Sequence, residues 1–154
     1  MRTWAEIDLT ALEHNYRTLR AMLPRECRFL GLCKANAYGH GAAVIGHTLE
    51  RLGADMLAVA CVSEAEELRQ SGVKLPILCL GETPEELIPL LLELDVTQMV
   101  EDLETGRRLS AAAQRAGRTL RVHVKLDTGM SRLGFLWEAG REEETADEIA
   151  RLCR

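Results

Sequence analysis

The segment Lys34-Ala-Asn-Ala-Tyr-Gly-His40 follows a short, largely apolar stretch, Arg28–Cys33, which predicts a β-strand. Lys34 is therefore expected at the carboxyl end of that strand, where parallel sheets and β/α barrels bind their ligands. Glycines on both sides of His40 predict a turn, and a helix is expected from Ala42 onwards. This strand, turn and helix form one β/α unit with a lysine at its ligand-binding end.

Lys34 has a specific chemical use in such a place. A lysine amine that is shielded from water can act as a nucleophile and form a Schiff base with an aldehyde. The alternative is a solvated lysine that happens to follow a strand. Position alone favours this alternative, because most lysines are exposed.

Alternating apolar and amphipathic stretches predict β/α units throughout the chain. Besides Arg28–Cys33, the predicted strands are a short opening one, Ala5–Asp8, and four longer ones, Met56–Cys61, Pro76–Leu80, Thr97–Val100 and Leu120–Asp127. Apolar strands separated by helices are typical of a parallel sheet that is covered on both faces. Such a sheet is either doubly wound or part of a β/α barrel, and the periodicity does not distinguish the two.

Capping and helix-breaking residues predict the limits of several helices. Thr10 is predicted to cap the first helix, and Ser63, with Glu66 in the capping-box position, a later one. Gly53 is expected to end the helix that follows the first β/α turn. Pro89 is expected to kink or break the helix in which it lies.

The last predicted strand separates an apolar face from a polar one. The apolar residues Val122, Val124 and Leu126 alternate with His123, Lys125 and Asp127. In a barrel the apolar face would pack on helices and the polar face would point inward, with Lys125 and Asp127 near the ligand-binding mouth. Charges in a barrel interior need partners or a function, so a structural salt-bridge layer and a functional site are equally open.

Composition and charge restrict the class of protein. The 154 residues fit one domain, and a hydrophobic content of 47% is enough for a core. A net charge of -5 argues against nucleic acid as the main partner. No apolar run approaches the roughly 20 residues that cross a bilayer, and no apolar signal segment follows Met1. We therefore expect a cytoplasmic protein that acts on small molecules.

The five cysteines include no Cys-x-x-Cys pair. Three of them, Cys33, Cys61 and Cys79, lie in predicted strands, where a reduced thiol acts as a small hydrophobic group. They are predicted to be core residues rather than metal ligands or a disulfide framework. A reducing compartment fits this prediction, and no metal site is expected.

Three stretches resemble signature sequences of the alanine racemases, a family of pyridoxal-phosphate-dependent barrel enzymes. They are Trp4–Leu9, Cys33–Gly41 and Val122–Gly134. The resemblance runs in register from Met1 to about Trp137. It implies a partial TIM-type (β/α)8 barrel, an α/β fold of roughly the first five β/α units around a parallel sheet.

The number of predicted strands is too small to close such a barrel. A closed barrel needs eight strands and typically about 250 residues. The chain ends in a charged helical segment, Glu142–Arg154, without a turn signal, whereas alanine racemases continue with the remaining strands and a separate β domain. We therefore expect residues 1–154 to be the amino-terminal part of the barrel domain, truncated before the rest of the barrel and the carboxyl-terminal β domain.

The resemblance implies roles for individual residues. Lys34 matches the lysine that holds pyridoxal 5'-phosphate as an aldimine and serves as one of two catalytic bases. Tyr38 matches a tyrosine that reaches the cofactor phosphate, and Arg132 an arginine near the cofactor's phenolic oxygen and the substrate carboxylate. Lys125 falls where many members carry a carbamylated lysine, whose negative charge holds that arginine. His40 has no such role and is expected to make a local hydrogen bond.

The implied activity of the parent protein is the interconversion of L-alanine and D-alanine, which supplies D-alanine for peptidoglycan. The second base of alanine racemases is a tyrosine from the β domain of the partner subunit in a homodimer, and neither Tyr16 nor Tyr38 matches it. The isolated chain is therefore expected to be inactive, and its unpaired strand edges predict an edge-mediated dimer. Alternatives are a serine racemase of the same family, a more distant decarboxylase on the same barrel, or a non-catalytic folding unit.

Overall fold

The computed structural model describes residues 3–153, so residues 1, 2 and 154 of the predicted domain lie outside the described residues. The strands are β1 (Leu30–Leu32), β2 (Met56–Val59), β3 (Ile77–Cys79), β4 (Val96–Val100), β5 (Val122–Val124), β6 (Leu126–Asp127) and β7 (Phe135–Leu136). The helices are α1 (Leu9–Ala21), α2 (Lys34–Tyr38), α3 (Ala42–Leu52), α4 (Val62–Gln70), α5 (Ile88–Glu93), α6 (Leu103–Arg115) and α7 (Glu142–Leu152). Within residues 3–153, no helix is long and apolar enough to span a bilayer.

Strands β1 to β5 form one sheet in the order β1-β2-β3-β4-β5. β1 pairs in parallel with β2, with Leu30 opposite Met56, and β4 pairs in parallel with β5. The predicted parallel sheet of five β/α units is therefore confirmed. The chain divides into two compact units, one ending at Ile77 and the other beginning at Leu78.

In the first unit, α3 packs closely on β1 and β2. Leu57 and Ala58 of β2 are fully buried. A Cβ at Gly31 would lie 2.5 Å from Cδ1 of Leu49, so a larger residue there would displace the end of the Leu49 side chain. α3 ends at Gly53, which has a φ of 89°, as predicted. The packing of α3 on β1 and β2 therefore holds in place the two elements that the segment after β1 connects.

In the second unit, all five residues of β4 are buried. The amide side chain of Gln98 is nevertheless hydrogen-bonded. Its Oε1 accepts a hydrogen bond from the hydroxyl of Thr83 at 2.6 Å, and its Nε2 donates to the carbonyl of Gly81 at 2.7 Å. A buried polar group that is fully bonded favours one arrangement of the surrounding chain, so Gln98 fixes the turn at Gly81 against β4.

The break expected at Pro89 is confirmed. A 3-10 turn over Glu85–Leu87 precedes α5, which begins at Ile88 and has Pro89 in its first turn. Proline is tolerated there because the first N–H groups of a helix have no helical partner.

The start of the chain differs from the prediction. Residues 3–8 form no strand, so the prediction for Ala5–Asp8 is wrong. Asp8 rather than Thr10 is the N-cap of α1. Its Oδ1 accepts hydrogen bonds from the N–H groups of Thr10 at 2.8 Å and Ala11 at 3.2 Å. A carboxylate also interacts favourably with the helix dipole, which a hydroxyl group does only weakly.

We expect the substitution Asp8→Ala to lower the free energy of unfolding by about 1 kcal/mol, the usual cost of losing an N-cap. Thr10→Ala should change it little, because Thr10 contributes its backbone N–H to the cap. Urea denaturation of both variants measures the difference. Equal losses would show that the threonine hydroxyl also stabilises the helix start.

The start of α4 also differs from the prediction. Its N-cap is Cys61 rather than Ser63. Glu64, instead of Glu66, occupies the third helical position, and its Oε2 accepts a hydrogen bond from the N–H of Ala60 at 2.7 Å. Only the acidic half of a capping box is present, because the side chain of Cys61 makes no capping hydrogen bond, and the acid lies two residues earlier than predicted.

The cysteines agree only in part with the expected core positions. Cys33 and Cys79 are buried, as predicted, but Cys61 is exposed. Cys61 lies beyond the end of β2, in the loop that precedes α4, so its prediction as a core residue is wrong. Among residues 3–153, no three His, Cys, Asp or Glu side chains lie close enough to hold a metal ion.

The strand predicted over Leu120–Asp127 is interrupted at Lys125. β5 belongs to the five-stranded sheet, whereas β6 pairs in parallel with β7 in a separate two-stranded sheet. The N–H of Phe135 donates to the carbonyl of Lys125 at 2.8 Å, and the N–H of Trp137 donates to the carbonyl of Asp127 at 2.9 Å. This pairing closes the loop between β6 and β7.

Only part of the predicted apolar face borders helices. Val122 and Val124 line a pocket together with Leu109 of α6 and Leu152 of α7, but both are exposed, and Leu126 is exposed in the separate two-stranded sheet. The polar residues of the same stretch lie in different environments. His123 is exposed, Lys125 is half-buried and Asp127 is buried.

Candidate functional site

The lysine segment, Lys34–Tyr38, forms a left-handed turn directly after β1. Ala35, Asn36 and Ala37 have φ values between 51° and 53°, and Tyr38 has a φ of 54°. This conformation costs a residue with a side chain about 1–2 kcal/mol, so contacts around the turn must hold it in place. Backbone strain of this kind concentrates at functional sites, which makes the lysine segment the first candidate region.

Asn36 connects this turn to α3. Its Oδ1 accepts a hydrogen bond from the N–H of Ala42 at 2.7 Å, and its carbonyl accepts one from the N–H of Gly41 at 3.0 Å. Asn36 thus caps a helix whose N-cap residue, Gly41, has no side chain. Sequence reasoning missed this role because the cap lies six residues before the N–H that it binds, outside the usual spacing.

The amine of Lys34 lies over an aromatic ring. Its Nζ is 5.8 Å from the ring centroid of Tyr38, within the range of a cation–π contact. In the described part of the chain, no carboxylate forms an ion pair with it. His40 makes the expected local contact, with Nδ1 3.0 Å from the carbonyl oxygen of Ala37. The segment therefore presents a half-buried primary amine that has no counter-charge.

The thiol next to this lysine is not a second nucleophile. Burial raises the pKa of the Cys33 thiol to about 11, and the negative charge of Glu64 contributes to this. The thiol therefore stays protonated at neutral pH, and only the thiolate is reactive. The amine of Lys34 remains the candidate nucleophile of this segment.

Asp127 organises the second candidate region, the arginine loop, which spans residues 127–134. The buried carboxylate accepts hydrogen bonds from the backbone N–H groups of Gly129 at 3.0 Å, Ser131 at 3.0 Å and Arg132 at 2.6 Å. These bonds, that of Gly129 above all, lower the pKa of Asp127 to about 2. The carboxylate is bonded to the loop backbone instead of forming a salt-bridge layer with Lys125.

The pKa of Asp127 predicts how the stability of the loop depends on pH. The ordinary pKa of aspartate is about 3.9, so the ionised carboxylate stabilises the folded state fully above about pH 4. This stabilisation is lost as the pH falls towards 2. We expect the stability difference between the wild type and Asp127→Asn to shrink over that interval in urea denaturation. Asp147→Asn, an exposed control on α7, should show no such trend, and a constant difference for Asp127→Asn would contradict the assignment.

Lys125 and Arg132 line the same small pocket of about 150 Å³. The backbone of Arg132 is held by Asp127, while its guanidinium makes no ion pair with any carboxylate in residues 3–153. A planar cation on an anchored loop is suited to bind a carboxylate or phosphate through two parallel hydrogen bonds.

Glu101, directly after β4, was not predicted. Its partial burial raises its pKa, as do the charges of Asp102 and Glu82, whereas Lys125 lowers it. Its Oε2 is buried and has no hydrogen-bond partner among the described residues. An acid that directly follows a buried strand is the sequence signal that would have found it.

Each of the two regions, taken by itself, carries side chains whose chemistry suits part of an aldehyde cofactor that carries a phosphate. Lys34 offers the primary amine that an aldehyde requires. The exposed hydroxyl of Tyr38 and the guanidinium of Arg132 are hydrogen-bond donors suited to anionic oxygens. The chemistry of these donors therefore agrees with the group that the sequence motifs imply.

A doubly wound sheet reverses its strand order, whereas the strands here keep the order β1-β2-β3-β4-β5. This order, with a lysine after the first strand, defines part of a β/α-barrel protein. The chain belongs to the alanine racemase family, because the family described as "Alanine racemase, N-terminal domain" matches residues 7–153. The resemblance of the sequence motifs to this family is thus confirmed.

Relatives with known names support this membership. The chain is 43% identical to the alanine racemase of Desulfovibrio desulfuricans over 143 residues, which are 93% of the chain and 37% of that relative. It is 44% identical to alanine racemase 1 of Clostridium acetobutylicum over 151 residues, 98% of the chain and 38% of the relative. The chain spans about 40% of the length of such relatives.

A solved structure confirms the fold. The alanine racemase of Clostridium difficile in complex with cycloserine matches with a TM-score of 0.92 at 41% identity. The match covers 99% of this chain and 41% of that protein. The prediction of a partial barrel is confirmed by this agreement.

Proposed function

We propose that this chain is the amino-terminal part of a pyridoxal-phosphate-dependent alanine racemase. The protein that carries it interconverts L-alanine and D-alanine. The observation that carries the proposal is the amine of Lys34, which follows β1, lies over the ring of Tyr38 and has no counter-charge in residues 3–153. The names of the relatives favour alanine over serine as the substrate.

Racemisation requires a proton to leave the α-carbon on one face and return on the other. Pyridoxal phosphate, when bound, supplies a conjugated ring that stabilises the electron pair left on the α-carbon. Lys34 would hold the cofactor through its amine. Its Nζ would also accept the α-proton of the substrate, or return it, on the face of the α-carbon that Lys34 occupies.

The other residues bind and orient. The guanidinium of Arg132 would bind the substrate carboxylate through two parallel hydrogen bonds, and the family resemblance also implies a contact with the phenolic oxygen of the cofactor. The hydroxyl of Tyr38 would donate a hydrogen bond to the cofactor phosphate. A carbamylated Lys125 would supply the negative charge that keeps Arg132 in its orientation. In support of this, both side chains line the pocket of the arginine loop.

The opposite face of the substrate needs a second acid and base. Tyr16 does not fit, because it is buried and packs edge-on against Phe29 with 4.8 Å between ring centroids. Tyr38 lies against Lys34 on the first face. We therefore assign the second base to a tyrosine of the partner subunit in a homodimer, as the family resemblance implies.

The proposed product determines the cellular role. D-alanine serves as a precursor of peptidoglycan, and its synthesis is proposed to take place in the cytoplasm. Without the partner's base, the isolated 154 residues should not racemise alanine.

Chiral analysis of product tests the proposed activity. The protein that carries this chain is incubated with L-alanine or L-serine, with and without added pyridoxal phosphate. D-alanine should form at least about tenfold faster than D-serine, and cycloserine, which binds the Clostridium difficile relative, should inhibit the reaction. Faster turnover of serine would identify a serine racemase. A protein that binds the cofactor but racemises neither amino acid would contradict the proposal.

A further inference from the structure

The carboxylate of Glu64 connects the chain segments that follow two neighbouring strands. Its Oε1 accepts a hydrogen bond from the N–H of Ala35 at 2.7 Å, and its Oε2 accepts one from the N–H of Ala60 at 2.7 Å. Ala35 directly follows Lys34, and Ala60 directly follows β2. Both hydrogen bonds are short and charge-assisted, which makes them stronger than neutral ones.

Among the described residues, no backbone carbonyl accepts a hydrogen bond from the N–H of Ala35. The pairing of β1 with β2 ends at Cys33, whose N–H donates to the carbonyl of Ala58 at 2.8 Å. Ala35 then has a φ of 51° and begins the left-handed turn. Its N–H meets the carboxylate of Glu64 instead of a carbonyl, so this carboxylate holds the first strained residue of the lysine segment.

We propose that Glu64 is a positioning residue that sets the direction in which Lys34 presents its amine. The peptide group between Lys34 and Ala35 is fixed on the Ala35 side by Glu64. Because Glu64 is also bonded to Ala60, the turn is tied to the end of β2. This inference rests on the proposed function, because Glu64 would affect the reaction only by positioning Lys34.

The substitution Glu64→Gln tests this with little change in volume. Glutamine keeps one acceptor oxygen but turns an amide NH2 group towards the second N–H, so one of the two bonds is replaced by a contact between donors. Glu67→Gln is the matched control. Glu67 lies on the same helix, is exposed, and its carboxylate makes no hydrogen bond within residues 3–153.

In the protein that carries this chain, loaded with pyridoxal phosphate, Glu64→Gln should lower kcat for alanine about 10- to 100-fold, because small misplacements of a catalytic group have effects of this size. KM should stay within about twofold, because Glu64 does not touch the substrate. The visible circular dichroism of the bound cofactor should change, while the far-ultraviolet spectrum stays the same. A merely structural role would not alter the cofactor signal of a folded protein.

Amide hydrogen exchange in the wild type provides a measurement that needs no variant. The N–H groups of Ala35 and Ala60 should exchange much more slowly than in an unstructured peptide, although both residues are exposed. If Glu64→Gln fails to fold, this measurement decides the question, and unprotected exchange at Ala35 would overturn the proposal.

Two failures can be told apart. If all proteins bind the cofactor at Lys34 and Glu64→Gln matches Glu67→Gln in kcat and in the cofactor spectrum, the positioning role of Glu64 is wrong and the proposed function stands. If the wild type does not attach the cofactor to Lys34, the proposed function fails and the role of Glu64 fails with it.

Discussion

Lys34→Ala is expected to lower alanine racemisation by about 10²–10⁴-fold or more, the range over which a general acid–base group contributes. The substitution removes both the amine that holds the cofactor and the group that moves the proton. The fold should survive, because the contact with Tyr38, at 5.8 Å from its ring centroid, contributes about 0.5–1 kcal/mol at an exposed site. The loss is therefore chemical rather than structural.

The three lysines of the chain allow a sharp control. Reduction with borohydride followed by peptide mass spectrometry should place the cofactor on Lys34 in the wild type and in Lys74→Ala. No label should appear in Lys34→Ala. Lys74 is exposed and contributes only its backbone N–H, to Glu50, so its loss should leave activity unchanged. A label on Lys125, or activity of Lys34→Ala within a few-fold of the wild type, would contradict the proposal.

The features that the sequence predicted correctly depend on local pattern. The burial of β4 is predicted by a run of consecutive residues. The end of α3 is predicted by Gly53, which adopts the left-handed conformation at no steric cost. The position of Lys34 at the end of β1 follows in the same way. Such features are decided by neighbours along the chain, which a single sequence contains.

The features that could not be predicted from the sequence depend on residues that are far apart along the chain. The bond from Ala35 to Glu64 joins residues 29 positions apart, and no local spacing predicts it. The left-handed conformation of Ala35 and Tyr38 has no propensity in its favour, because only the surrounding contacts maintain it. The partners of Asp127 were also left open, since the backbone N–H groups surround its carboxylate only when the arginine loop folds back.

Gly134→Ala should cause the largest loss of stability of any substitution predicted for this chain. The pairing of β6 with β7 brings Gly134 close to the backbone of residues 125–127. A Cβ at Gly134 would lie 2.8 Å from the backbone nitrogen of Asp127 and 2.9 Å from the carbonyl oxygen of Lys125. These atoms belong to the main chain and cannot rotate away. The φ of 123° adds strain for any side chain. Together, overpacking and strain should cost about 2–6 kcal/mol.

Gly129→Ala separates the two causes. Gly129 has a similar φ of 133°, but a Cβ there would meet no atom within 4 Å, so its substitution should cost only the strain of about 1–3 kcal/mol. Urea denaturation of both variants isolates the steric part as the difference between them. Equal losses would show that β7 moves away from β6 without cost. The steric loss that we expect means that the β6–β7 pair is rigid enough to fix the loop carrying Arg132. The role proposed for its guanidinium, binding a carboxylate in one orientation, requires such a support.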